Sequence, residues 1–148
     1  MASCLFCDIA AGRESAVWVA RSPEAVAFAP LPESRLAPGH TLVIPVRHSS
    51  DLFAADPRSV AATTGLVQRV ARGMRESLGA SGVNVLHASG ESAGQSASHL
   101  HFHVVPRWDD DNATFWPDHR AAHHTEDDPY CSLAEAISAT VAALPTRS

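Results

Sequence analysis

Residues 98–106 read Ser98-His99-Leu100-His101-Phe102-His103-Val104-Val105-Pro106. Polar and apolar residues alternate with period two, the pattern of a β-strand whose faces differ, because successive side chains leave opposite sides of the pleat. The alternation predicts a strand over residues 98–105, with His99, His101 and His103 sharing one face and Leu100, Phe102 and Val104 pressed into a core. Serine, threonine or lysine would keep a polar face wet equally well. A lone histidine there would usually do no more than hydrogen-bond a neighbour, so three imidazoles at alternate positions ask for a chemical reason.

Working outward, Ser89-Gly90-Glu91-Ser92-Ala93-Gly94-Gln95-Ser96 is a glycine- and serine-rich loop that joins this strand to a preceding one, Gly82 to Leu86. Further upstream, Asp56-Pro57 supplies an N-cap and a first-turn proline, and Val60, Leu66, Val67, Val70, Met74 and Leu78 recur at helical spacing up to Gly79. This predicts the main amphipathic helix. Val17–Ala20 and Ala25–Phe28 flank Ser22-Pro23-Glu24 and predict a hairpin. Pro30 to Gly39 holds three prolines and reads as loop, and His40 to Pro45 reads as a third strand. A short helix is expected from Ser132 to Leu144. About five strands, one main helix and a short C-terminal helix, without strict strand–helix alternation, predict an α+β fold with an antiparallel sheet.

The 148 residues suit one domain, 1–148, with a motif-bearing core at 4–107 and a C-terminal tail and helix at 108–148, polar and acidic from Trp108 to Asp128. With 45% hydrophobic residues, 18% charged residues and a formal net charge of -5, the chain has no basic field to attract nucleic acid or an anionic membrane. The N-terminus lacks a basic region followed by a long apolar run, and no segment reaches the length of a membrane span, so a cytoplasmic protein is expected. Three cysteines are an odd number, and Cys4 and Cys7 form C-x-x-C, which in a reducing compartment suggests metal or redox chemistry before a structural disulfide. No βαβ context supports the redox option. Cys131 reads as a lone thiol.

The loop 89–96 lacks the lysine and the following helix of a P-loop. Its glycines nevertheless allow backbone N–H groups to approach an anion, and serine adds a hydroxyl donor. Its adjacency to the histidines places anion donors beside nucleophilic imidazoles. The thiolates of Cys4 and Cys7 are donors that a soft metal ion accepts. The carboxylates in Trp108–Trp116 read as solvated surface, and His119, His123 and His124 imply no second metal site.

Gly94-Gln95-Ser96-Ala97-Ser98-His99-Leu100-His101-Phe102-His103-Val104-Val105-Pro106-Arg107 resembles the signature of the histidine triad (HIT) family. Cys4 to Ile9 with Ala11-Gly12, then Ala27-Phe28, then Pro38 to Pro45 with Arg47-His48, resemble further blocks of that family in the same order. The resemblance implies a nucleotide-binding α+β fold that usually dimerises. It also implies hydrolysis or transfer at the α-phosphorus of a nucleoside phosphoramidate or dinucleoside polyphosphate. By position, His101 would be the nucleophile, forming a nucleotidyl-imidazole that water opens, and His103 would hold the phosphate oxygens. Gly94, Gln95 and Ser96 would frame the phosphate, with the Gly94 N–H and the Ser96 hydroxyl stabilising transition-state charge and Ser96 assisting the leaving group.

In zinc-containing members the positions matching Cys4, Cys7, His48 and His99 are the metal ligands, and their two thiolates and two imidazoles are a donor set that tetrahedral zinc accepts in closed, structural sites. Phe6, Ile9, Phe28 and Leu31 fall where the family builds an apolar slot for a purine. Two departures stand out. The acidic residue that commonly holds the ribose is replaced by Ala29-Pro30-Leu31-Pro32, leaving Glu33 or Ser34 as substitutes, and the Asn or Gln before the glycine-rich loop is Ala88, with Ser89 beside it. The rival expectation is a non-catalytic nucleotide-binding, zinc-stabilised interaction protein, and the two expectations part at His101.

Overall fold

The computed structural model describes residues 3–117 and 130–145. The chain forms two compact units, Met1–Ala113 and Thr114–Ser148. The first contains α1 (Leu5–Ala10), β1 (Trp18–Arg21), β2 (Ala25–Phe28), a 3-10 turn at Pro32–Ser34, β3 (Thr41–Pro45), α2 (Pro57–Leu78), β4 (Gly82–Leu86) and β5 (Phe102–Arg107). The second contains α3 (Tyr130–Ala143), along which Leu133, Ile137 and Val141 recur at four-residue spacing and are exposed. The cluster considered from sequence at His119, His123 and His124 lies outside the described residues. No helix among the described residues is long and apolar enough to cross a membrane.

The fold is α+β, with a five-stranded antiparallel sheet in the order β1-β2-β3-β5-β4. The caps of α2 are those the sequence announces: the Asp56 carboxylate accepts the Arg58 N–H at 2.8 Å, and Gly79 closes the helix at φ 63°. Leu66, Val67, Val70 and Met74 on its inner face pack on Val43, Phe102 and Val104 of the sheet, and also on Leu100. Each such side chain, fully buried, is worth roughly 1.5–3 kcal/mol. The other sheet face carries Val26, Phe28, Leu42 and Ile44, covered by Ile9 and Phe6 of α1. Gly39 lets the chain enter β3: its φ is +88°, and a Cβ there would lie 2.7 Å from Leu78 Cδ1 and 3.3 Å from Pro106 Cγ.

Two expectations need correction. The strand begins at Phe102, not at Ser98, because pairing with β3 starts at Val43↔Phe102 and pairing with β4 ends at Leu86↔His103. The preceding backbone leaves the ladder, and Leu100 donates its N–H to Ser49 O at 2.7 Å. The first two histidines of this segment are out of solvent. His99 is 1% exposed and His101 5%, and Phe6 of α1 stands edge-on to both rings. Asp111, expected as solvated surface, instead clamps Arg107 through two oxygens at 2.6 and 2.7 Å, and the guanidinium holds its carboxyl well below the usual carboxylate range.

Candidate active site and metal centre

The tautomers of the central histidines follow from their partners. His101 Nδ1 faces the His99 carbonyl at 2.7 Å, and a carbonyl can only accept, so Nδ1 carries the proton and Nε2 keeps its lone pair. The carbonyl of His101 in turn accepts His87 Nδ1–H at 2.8 Å. His87 Nε2 then accepts the Ser89 hydroxyl at 2.7 Å, and Ser89 Oγ accepts the Leu52 N–H at 2.8 Å. His87 stacks on Phe102 with ring centroids 4.7 Å apart, so the segment carrying His101 is braced from the end of β4.

A second chain fixes His103. Leu36 N–H donates to His40 Nδ1 at 3.1 Å, so His40 carries its proton on Nε2, which donates to His103 Nδ1 at 3.0 Å. His103 therefore presents an Nε2–H donor. Its ring lies 5.2 Å from that of His101. The pair offers one nucleophilic lone pair and one hydrogen-bond donor, both neutral. Burial pushes His40 and His101 below the ordinary histidine value. Burial, helped by the neighbouring His101, His40 and His87, brings His103 down to about 4.

A cavity of about 660 Å³ opens beside these rings, within the usual range for a small-molecule site. Phe6, Ile9, Phe28 and Leu31 form its apolar wall, and Ser96, His101 and His103 its polar end. Other expected nucleotide contacts are used inside the protein. Gln95 Oε1 accepts the Gly90 N–H at 2.8 Å, and its amide donates to Ser50 O and Ala97 O at 2.6 and 2.8 Å. Ser89 is engaged by His87 and Leu52, and neither it nor Gly94 or Gln95 lines the cavity. Of the two candidates to replace the ribose acid, Ser34 lines the cavity and Glu33 does not; the lining carboxylate is Glu14.

His40 and His87 went unread in the sequence, although a histidine opening the apolar run Thr41–Ile44 was a signal that a buried polar partner waited elsewhere. Both act through partners more than ten residues away in sequence.

Cys4, Cys7, His48 and His99 converge, with one ligand atom from each within 4.8 Å of the others. Cys4 Sγ lies 3.4 Å and Cys7 Sγ 3.6 Å from His99 Nδ1, while His48 Nδ1 lies 3.3 Å from Cys7 Sγ and 3.2 Å from His99 Nδ1. A tetrahedral ion with S and N ligands has edges of about 3.3–3.8 Å, so the donor set fits a metal ion. His99 donates its other ring nitrogen, Nε2, to Pro45 O at 3.0 Å, which leaves Nδ1 as a free lone pair. Without a cation, desolvation and the adjacent Cys4 sulfur push the Cys7 thiol up to about 11, whereas a metal ion favours the thiolate.

Two braced, neutral imidazoles thus stand at the polar end of a cavity of small-molecule size, with a two-cysteine, two-histidine cluster close by. Residues 13–110 match the HIT domain model, and the chain belongs to the HIT family. It is 33% identical over 127 residues to protein hit of Bacillus subtilis, covering 84% of this chain and 86% of the relative. It is 34% identical over 106 residues to an adenosine 5′-monophosphoramidase of Schizosaccharomyces pombe, covering 71% and 74%. Among solved structures, a Zn-bound histidine triad family protein from Mycobacterium smegmatis superposes with a TM-score of 0.70 at 34% identity, covering 93% of this chain and 97% of that one.

Proposed function

We propose that the protein is a nucleotidyl hydrolase or transferase acting at the α-phosphorus of a purine nucleoside phosphoramidate or dinucleoside polyphosphate through a nucleotidyl-His101 intermediate. The observation that carries this reading is the hydrogen bond from His101 Nδ1 to the His99 carbonyl, which turns the Nε2 lone pair into a fixed nucleophile. The Nε2 lone pair attacks phosphorus, the bond to the leaving amine or phosphate breaks, and that group departs with the electron pair. The imidazolium formed keeps its Nδ1–H on the His99 carbonyl, which stabilises the new positive charge. His103 Nε2–H and the Ser96 hydroxyl hold the phosphate oxygens by hydrogen bonds, and the leaving group takes its proton from solvent, which receives one back when water opens the intermediate. Water, or an acceptor in a transferase, then opens the P–N bond and returns the lone pair to His101. The base lies against Phe6, Ile9, Phe28 and Leu31. Support comes from the family membership and from a relative that is an adenosine 5′-monophosphoramidase. Release of AMP from adenosine 5′-phosphoramidate tests it against the non-catalytic nucleotide-binding reading: a wild type no faster than His101→Ala contradicts the enzyme reading.

Cys4, Cys7, His48 and His99 would hold a structural zinc, which ties α1 to the histidine segment. Free Cys4 and Cys7 thiols in such a cluster suit a reducing compartment, and we read the protein as cytoplasmic and the family domain as the unit of function.

The pH dependence has a definite sign. His101 and His103 act neutral, and both are held below the ordinary histidine value, His103 at about 4. The acid limb of kcat/KM is therefore expected below pH 6.5, and a midpoint at or above that value in a pH–rate profile would contradict the neutral pair. The unfolded chain binds more protons than the native one between 6.5 and about 4, so His103's stabilising contribution falls as pH falls through that window.

A homodimer is proposed through β4, which pairs with β5 on one side only and lies at the sheet's edge with Val85 49% exposed. Wild type is expected to sediment at twice 15.7 kDa and Val85→Arg as a monomer, and a monomeric wild type contradicts it.

A further inference from the structure

Among the described residues, four arginines are held by carboxylates: Arg13 by Asp8, Arg47 by Asp56, Arg58 by Glu24 and Arg107 by Asp111. Arg35, like Arg21, Arg69, Arg72 and Arg75, has no carboxylate partner among the described residues, and of these five it alone stands in the wall of the cavity that holds His101 and His103. Among the described residues its guanidinium makes one hydrogen bond, Nε–H to Pro30 O at 3.1 Å. That bond anchors the side chain to its own loop and leaves both terminal NH₂ groups as an open fork, the donor geometry that matches a phosphoryl group.

The loop is itself well defined. Pro30, Pro32 and Pro38 restrict its backbone, and Leu36 N–H, one residue beyond Arg35, begins the hydrogen-bond chain through His40 to His103. The guanidinium is thus held by a segment registered to the polar end of the cavity. Ser34, next to it, lines the same wall, and among the described residues its hydroxyl makes no hydrogen bond. Glu14, the lining carboxylate, forms no ion pair with Arg35. A cation anchored by Nε on the wall of an otherwise largely apolar cavity, with no carboxylate partner among the described residues, is suited to an anionic ligand.

We propose that Ser34 and Arg35 form a second anion subsite, taking a second phosphoryl group of a nucleotide whose first lies against His101 and His103. The inference rests on the nucleotide reading above and, within it, makes nucleotides with two phosphoryl groups the tighter-binding class. The second group can sit on the sugar or further along the 5′ chain, and the two sources share one chemistry at the guanidinium.

Calorimetric titration of the full chain with AMP, ADP, adenosine 2′,5′-bisphosphate and adenosine 3′,5′-bisphosphate tests it. At low salt, at least one two-phosphate ligand is expected to bind about tenfold more tightly than AMP, the size of one charge-assisted contact, and the ligand that gains identifies the source. High salt should shrink the gain. Arg35→Ala should remove it while leaving AMP affinity within about twofold, and Arg35→Lys should keep part of it, since lysine retains the charge without the fork. Arg35 is exposed, and unchanged melting curves for both variants would exclude a folding defect. Equal affinities for all four ligands in wild type, or a gain that survives in Arg35→Ala, overturns the subsite. If AMP binds and only the gain is missing, the subsite alone falls; if no nucleotide binds, the nucleotide reading falls with it.

Discussion

His101→Ala and His101→Asn are expected to lower the rate of AMP release from adenosine 5′-phosphoramidate by at least about 10⁴-fold, the scale of losing a covalent nucleophile. The two variants separate chemistry from structure. Alanine leaves a hole beside Phe6 and removes the hydrogen bond to the His99 carbonyl, so it also costs stability, on the order of 1–3 kcal/mol for the carbonyl left without its donor. The amide of asparagine can still donate to that carbonyl, so the fold should hold while the lone pair is gone. Nucleotide affinity in His101→Asn should stay near wild type, because the apolar wall and His103 remain. The rate difference is then a kcat effect. Activity retained in His101→Asn would mean that water attacks phosphorus directly and that His101 only binds.

Removal of the metal ion is expected to have the second-largest effect, and on two observables at once. Serine at position 4 is a poor ligand for a soft cation, so Cys4→Ser should lose the metal and lower the melting temperature by roughly 10 °C or more, since a few kcal/mol of metal-linked stability moves a domain of this size by several degrees each. α1 is only six residues long, has no side-chain N-cap and holds its place through Phe6 and Ile9 and through the cysteines at its start. His99 links this loss to catalysis: its ring sits in the cluster while its carbonyl orients His101. Cys4→Ser should therefore be slower as well as less stable. A chelator should reproduce both effects in wild type and change nothing further in Cys4→Ser. Cys131→Ser, altering an exposed thiol outside the cluster, should match wild type. Wild type grown with zinc that carries no metal and melts unchanged in chelator would contradict the metal site.

Legibility in the sequence follows the range of the forces involved. The caps of α2, its apolar stripe and the hairpin of β1 and β2 depend on neighbours within a few residues, and they stand where the pattern puts them. The six-residue α1 does not announce itself, because too few turns form to show a period and its stability comes from burying Phe6 and Ile9 against the sheet. The start of β5 was misplaced for the same kind of reason: alternation describes residues 98–101 correctly, yet a strand also needs partners, and the ladder runs out at Phe102. The four side chains of the candidate metal cluster were legible through their residue types together with the family resemblance. The two relays that set the tautomers were not. His40 to His103 spans 63 positions, and the hydrogen-bonding duties of His87, Ser89 and Gln95 arise only when the loop closes on itself. Side chains that looked free to meet a ligand turned out to be committed to holding the loop in shape.

The most direct measurement is a rapid-quench reaction of wild type with adenosine 5′-phosphoramidate, stopped in base because a phosphorus–imidazole bond is labile in acid, followed by digestion and mass spectrometry. The account predicts a nucleotidyl group on the peptide bearing His101, appearing before AMP and decaying at the rate of turnover. AMP formed with no adduct at any time, or an adduct on another residue, would contradict it.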